Sequence, residues 1–141
     1  MERAVTTAAV GFTWRARVRV DVGDPVPLGA DVHGQRRLVP IVGGAVTGEW
    51  RGRVLSGGAD WQTVLADGSV LIDARYPVEL DTVGTVVFRA RGARDAAASD
   101  DTFCTTLVVD GPDDATIVAS VYATVGRKSA GQVVYDVFEV R

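Results

Sequence analysis

Three carboxylates and one guanidinium stand where their neighbours give them chemical meaning. Asp60 follows the glycine-rich turn Ser56-Gly57-Gly58 and precedes Trp61, so a charge and a flat indole are presented together to whatever binds there. The competing role for Asp60 is to accept backbone N–H bonds and hold that turn. Asp73 and Arg75 are two apart in an alternating segment and therefore share a face, opposite the row Val70, Ile72, Ala74 and Tyr76. On an outer face they form a surface ion pair worth about 0–1 kcal/mol. On an inner face desolvation raises the Asp73 carboxyl, Arg75 opposes that rise, and the guanidinium can hold an anionic or carbonyl oxygen. Asp136 shares a face with Val134, Phe138 and Val140. A carboxylate in an apolar row needs either an interior Arg as partner or a role as a perturbed general base.

Other chemistries find no footing. His33 is the only histidine, which excludes a His-rich metal site and sends any Ser-His-Asp triad through one residue. Its surroundings, Val32-His33-Gly34-Gln35, read as a turn, with a solvated loop histidine and a polar ligand contact as the two alternatives. There is no phosphate loop, dinucleotide fingerprint, paired-cysteine zinc motif or Gly-x-Ser-x-Gly elbow. Cys104 is the only cysteine and cannot form an internal bridge. The expected site therefore uses no metal and no cofactor.

The elements that must position these residues are strands. The chain has 26 Val against 7 Leu, with 16 Gly, and branching at Cβ suits a pleated sheet better than a helix. Alternation is clearest over residues 13–22, where even positions are apolar and odd positions polar. This places Trp14 on the dry face, as core first and ligand contact second. Further strands are expected near 36–42, 45–55, 60–65, 69–79, 83–91, 102–109, 115–125 and 132–141. Gly43-Gly44, Ser56-Gly57-Gly58, Asp67-Gly68, residues 92–101, Asp110-Gly111-Pro112-Asp113 and residues 126–131 supply the turns, Asp67-Gly68 being the strongest hairpin signal. One helical turn is expected at Asp95-Ala96-Ala97-Ala98-Ser99. About nine short strands without an amphipathic helix point to an all-β antiparallel meander closed into a barrel of about 8–10 strands, which removes exposed edges and can hold a small ligand.

At 141 residues and 14.9 kDa, the chain is read as one domain over 1–141. Net charge of −3 gives no field that would gather phosphates, which disfavours nucleic acid as a partner. The 14 Arg are scattered and Lys128 is the only lysine. No apolar run reaches the roughly 18 residues of a membrane span. The start, Met1-Glu2-Arg3-Ala4-Val5, lacks a signal-peptide core, so a cytoplasmic location without membrane attachment is expected. Alternating Val around residues 117–121 leaves an apolar outer wall, from which a homodimer is expected.

Leu38-Val39-Pro40-Ile41-Val42-Gly43-Gly44, then Arg51-Gly52-Arg53 through Gly57-Gly58-Ala59-Asp60-Trp61-Gln62, and Asp67-Gly68 leading to Asp73-Ala74-Arg75-Tyr76 resemble the family known as domain of unknown function 3237, also called uncharacterised protein family 0311. His33-Gly34 upstream and Gly126-Arg127 through Val140 extend the resemblance over nearly the whole chain. Where a Thr-Asp-Asp-Gly-like turn is usual after Asp-Ala-Arg-Tyr, this chain has residues 77–84, and Val86-Val87-Phe88-Arg89-Ala90-Arg91 replaces an aromatic and Asn-rich strand. The resemblance implies a lipocalin-like up-and-down barrel and a cofactor-free step on a natural-product intermediate.

Together these readings give a barrel that binds a hydrophobic small molecule and acts as a cofactor-independent cyclase, isomerase or lyase. A carboxylate among Asp60, Asp73 and Asp136 moves a proton, Arg75 stabilises the developing oxyanion, and Trp61, Tyr76, Trp14 and His33 contact the ligand. The alternative is a non-catalytic carrier or sensor barrel.

Overall fold

The computed structural model describes residues 9–98, 101–112 and 116–141. The expectations for residues 1–5, Ser99, Asp113 and Ala115 lie outside the described residues. Ten antiparallel strands follow in order: β1 (Phe12–Val22), β2 (Val26–Ala30), β3 (Gln35–Gly48), β4 (Gly52–Val54), β5 (Gly58–Val64), β6 (Val70–Leu80), β7 (Gly84–Arg94), β8 (Thr102–Asp110), β9 (Tyr122–Ser129) and β10 (Gln132–Val140), with a 3-10 turn at Thr116–Ala119.

The sheet runs β1-β10-β9-β8-β7-β6 and reaches β3 through β4 and β5, which succeed one another along one stave; β3 then pairs with β1 and closes the ring. On the side of β3 opposite β5, β2 pairs where β1 has ended. The ten strands thus form a closed eight-stave barrel, as the alternating Val-rich segments predict. Closure leaves no long unpaired edge in the ring.

Phase within each strand decides what lines the barrel. Ala16, Val18 and Val20 of β1, Val70, Ala74, Tyr76, Val78 and Leu80 of β6, and Tyr135 and Val137 of β10 are buried inside, with Ile72 partly buried in the same row. Phe88 is fully buried and packs against Tyr76 and Trp50, with ring centroids 5.9 and 6.1 Å apart. Trp50 also meets the edge of Tyr122 at 5.0 Å. These rings fill one end of the barrel, and each fully buried aromatic contributes roughly 1.5–3 kcal/mol of transfer free energy.

Several element expectations need correction. The strands expected at 36–42 and 45–55 are not separated by a turn at Gly43-Gly44, because β3 runs straight through it. Val22 pairs with Ile41 and Asp21 with Gly43, which leaves Val42 as an extra, exposed residue in a bulge. The bulge shifts the inward phase from Val39 and Ile41 to Val46. Gly44 is required there: its φ is +146°, and a Cβ would lie 1.9 Å from the Arg19 carbonyl oxygen. Around residues 117–121, the chain turns once and buries Ile117 instead of presenting an alternating sheet face. The residues expected to turn at 126–131 carry β9 on to Ser129, and β7 continues to Arg94. Asp67-Gly68 behaves as predicted: Leu65 N–H donates to Ser69 O at 2.8 Å, Asp67 Oδ1 accepts the Ser69 N–H at 2.8 Å, and Gly68 has φ +89°.

Candidate functional site

A cavity of about 80 Å³ occupies the half of the barrel not filled by Trp50 and Phe88. Its walls come from the last residues of β1 (Val20, Val22), β7 (Arg94) and β9 (Lys128) and the first of β3 (Arg37), β6 (Val70, Ile72), β8 (Phe103) and β10 (Val133). Antiparallel strands bring those ends together at one rim. The cavity is smaller than the roughly 300–1,000 Å³ of sites for drug-sized ligands, so it admits a small molecule or one end of a larger one.

Two tyrosine hydroxyls meet inside it. Tyr76 on β6 and Tyr135 on β10 are both buried, and their hydroxyl oxygens form a close hydrogen bond across the lumen. Each ring is seated against a glycine on the adjoining strand: a Cβ on Gly58 would lie 2.3 Å from Tyr76 Cβ, and one on Gly126 would lie 2.5 Å from Tyr135 Cβ. Burial pushes both phenols well above their usual range, so both remain protonated. Of their two protons, one is used between them and one is left to donate. Beside them, the hydroxyls of Thr105 and Thr124, cross-strand neighbours on β8 and β9, bond to each other.

Among the described residues, Asp60 is the one carboxylate that lines this cavity. Its Oδ2 accepts from Gln62 Nε2 at 2.6 Å, and Gln62 Oε1 accepts from Arg37 Nε at 2.7 Å. Its Oδ1 accepts the Asp73 backbone N–H at 3.0 Å. This last bond replaces part of the sheet: the β5–β6 register runs from Asp60 opposite Ala74 to Thr63 opposite Leu71, and between them the ladder opens. On the outer wall a groove runs past Trp61, Leu71 and Asp73 and reaches the same Arg37, Gln62 and Ile72 that border the cavity. Desolvation raises the Asp60 carboxyl above the usual range despite the lowering effect of the Gln62 and Asp73 donors. A carboxylate with raised proton affinity, next to a phenol pair, can accept a proton from carbon or oxygen while the free phenolic proton binds a developing oxyanion.

Asp60 and Tyr76 are thus brought together, and the other sequence-derived candidates are not. Asp73 and Arg75 face outward, because the apolar row from Val70 to Tyr76 takes the dry interior. Asp73 lies 4.0 Å from Arg91, not against Arg75. Trp61 is 54% exposed on the outer wall, since its neighbours Asp60 and Gln62 face in. Asp136 also stands outside. Val134 and Phe138 do share its face, but Val133, Tyr135 and Val137 hold the inner one. Its carboxylate accepts from Trp14 Nε1 at 3.0 Å and from Arg17 Nε and Nη2 at 3.1 Å. Partial burial raises its pKa, but the Arg17 and Trp14 bonds outweigh that and hold it below the usual range. Trp14 leaves the dry face because Arg15 is bulged: Trp14 pairs with Phe138 and Ala16 with Val137. His33 is exposed in a turn held by Asp31 Oδ1, which accepts the N–H of His33 at 2.8 Å and of Gly34 at 3.1 Å.

Sequence reasoning missed Arg37, Gln62, Arg94, Thr105, Thr124, Tyr135 and Lys128 as lining residues. Gln62 was within reach, being two residues from Asp60 on one strand, and Gly126 opposite Tyr135 marks the seat of a ring. Among the described residues no group of three or more His, Cys, Asp or Glu side chains is placed to hold a metal ion, and no helix is long and apolar enough to cross a membrane.

Fold and cavity together define the class: a small closed antiparallel barrel with a polar-collared interior pocket. The chain belongs to the family described as protein of unknown function DUF3237, whose model matches residues 11–116. It is 37% identical over 79 residues to a UPF0311 protein of Clostridium acetobutylicum, covering 55% of this chain and 50% of that one. The chain spans about half the length of the curated relatives it matches. Among solved structures, a conserved protein of unknown function from Rhodopseudomonas palustris superposes with TM-score 0.85 at 26% identity over 96% of this chain and 100% of that one. An enzyme from Penicillium herquei superposes with TM-score 0.70 at 14% identity over 99% of this chain and 100% of that one, a likeness of fold alone.

Proposed function

We propose that this barrel binds a small oxygenated organic molecule in its interior and catalyses a cofactor-independent ring closure, isomerisation or elimination by moving one proton. The observation that carries the reading is the meeting of Asp60 and the Tyr76–Tyr135 pair in one cavity. Asp60 takes a proton from a carbon next to a carbonyl, or from a hydroxyl that will attack, and gives it back at another atom of the product or, in an elimination, to the departing oxygen, which restores the carboxylate. Tyr76 and Tyr135 hold the oxygen on which negative charge grows, the role that the sequence pattern gave to Arg75. Gln62, fixed by Arg37, is a positioning residue that holds the Asp60 carboxylate in place at the cavity wall. The apolar wall of Ile41, Ile72, Ala74, Ala90 and Phe103 excludes water and folds the substrate. That a structurally similar fungal protein is described as an enzyme supports catalysis on this kind of scaffold.

The carrier reading is favoured by a different observation, that both Asp60 oxygens already accept bonds from the protein. Deuterium uptake from heavy water into a panel of small ketones and hydroxy-enones, followed by NMR, separates the two. Catalysis predicts exchange that falls by about 10²–10⁴-fold in Asp60→Asn with binding retained. A carrier shows binding without exchange in either protein.

A further inference from the structure

Three cationic side chains converge on the rim of the cavity, Arg37 from β3, Arg94 from β7 and Lys128 from β9, and among the described residues Asp60 is the one carboxylate that lines it with them. Arg94 is committed to Asp101, 2.9 Å away. Among the described residues the Arg37 side chain hydrogen-bonds only the neutral Gln62 and acts on Asp60 at longer range, and Lys128 has no carboxylate within ion-pair distance, with Asp101 and Asp60 acting on it from further away. Many outer arginines, by contrast, are matched: Arg15 by Glu139, Arg17 by Asp136, Arg53 by Glu79. Counting Asp101 as well as Asp60 against the three cations, the described residues of the rim carry one positive charge in excess, in a chain of net charge −3.

We infer that the cavity takes a small organic acid, with its carboxylate at the rim between Lys128 and Arg37 and its apolar part inward toward Ala74, Ala90 and Phe103. The inference rests on the interior being the binding site, as proposed above, and adds the chemical class of the ligand. Like charges repel across the rim: desolvation first, then Arg37 and Arg94, lower the Lys128 pKa and outweigh the raising effect of Asp101 and Asp60; an anion seated there relieves that repulsion. The mixed lining gives such a molecule both of its needs: charged donors for one end and dry walls for the other.

The test compares 3-methylbutanoate with its uncharged isostere 3-methylbutanamide, titrated into the full chain and followed by amide chemical shifts. The acid is expected to bind about tenfold more tightly than the amide. That preference shrinks as salt is raised to about 0.5 M, is largely lost in Lys128→Gln, and is kept in Lys128→Arg. Lys128 is exposed at the rim, so its replacement leaves the barrel folded. Equal binding of acid and amide, or an acid preference indifferent to Lys128→Gln, overturns the anion assignment while leaving the interior site standing. If neither compound shifts the resonances of cavity residues, both the assignment and the interior-site reading fall.

Discussion

Asp60 and Asp73 lie on adjacent strands and on opposite sides of the barrel wall, joined by one bond: the Asp73 backbone N–H donates to Asp60 Oδ1 at 3.0 Å. Two carboxylates that look alike in the sequence therefore differ in kind. One is turned inward and patches an opening in the β5–β6 ladder; the other lends only its amide and keeps its side chain in solvent. Asp73→Asn and Arg75→Ala are accordingly expected to change stability by less than about 0.5 kcal/mol. Urea denaturation and ligand titration of both variants check this, and a marked loss of binding in Asp73→Asn would move the site to the outer groove that Asp73 lines.

Asp60 makes stability depend on pH with a definite sign. Its folded pKa is raised by desolvation, so the native state holds the proton more tightly than the unfolded chain does, whose Asp titrates near about 3.9. Stability then declines as pH rises from that value through the raised one. Denaturation midpoints across this range should fall in the native protein and decline less in Asp60→Asn.

Glu139 acts in the opposite sense. Ser120 Oγ donates to it at 2.7 Å, Arg15 Nε at 2.9 Å and Arg141 Nη2 at 3.1 Å. The Ser120 bond first, and the Arg15 bonds next, hold its carboxyl down at about 2. The stability it contributes is complete above the unfolded value of about 4.3 and is lost as pH falls from there toward the folded value. Glu139→Gln should flatten the acid limb of the stability curve while leaving the limb above it unchanged.

The tyrosine pair predicts non-additivity. Tyr76→Phe or Tyr135→Phe leaves one buried hydroxyl without its partner, at a cost of about 1–3 kcal/mol. The double variant removes both hydroxyls and should be more stable than the sum of the single losses predicts. A double-mutant cycle by chemical denaturation measures this, and strict additivity would argue against the bond.

Gly44→Ala tests the bulge in β3. The added methyl meets the Arg19 carbonyl in a backbone region that L residues avoid, so a loss of at least about 1–3 kcal/mol is expected. Gly57→Ala, with φ +107° and open space around it, isolates the cost of conformation alone and should lose less.

Sequence by itself determined the all-β architecture, because β-branched residues at period two admit no other regular structure with a dry face. It also determined the Asp67-Gly68 hairpin, whose geometry is local. It brought Asp60 and Tyr76 to notice, yet it could not say which face of each strand would turn inward. Only the closed ring decided that, since one bulged residue at Arg15 or Val42 reverses the phase of everything beyond it. Trp14 went outside with the bulge at Arg15, and Asp136 and Arg75 with the outer phase of their strands, while Arg37 near the start of β3 met Lys128 and Tyr135 of the β9–β10 hairpin only when the barrel closed.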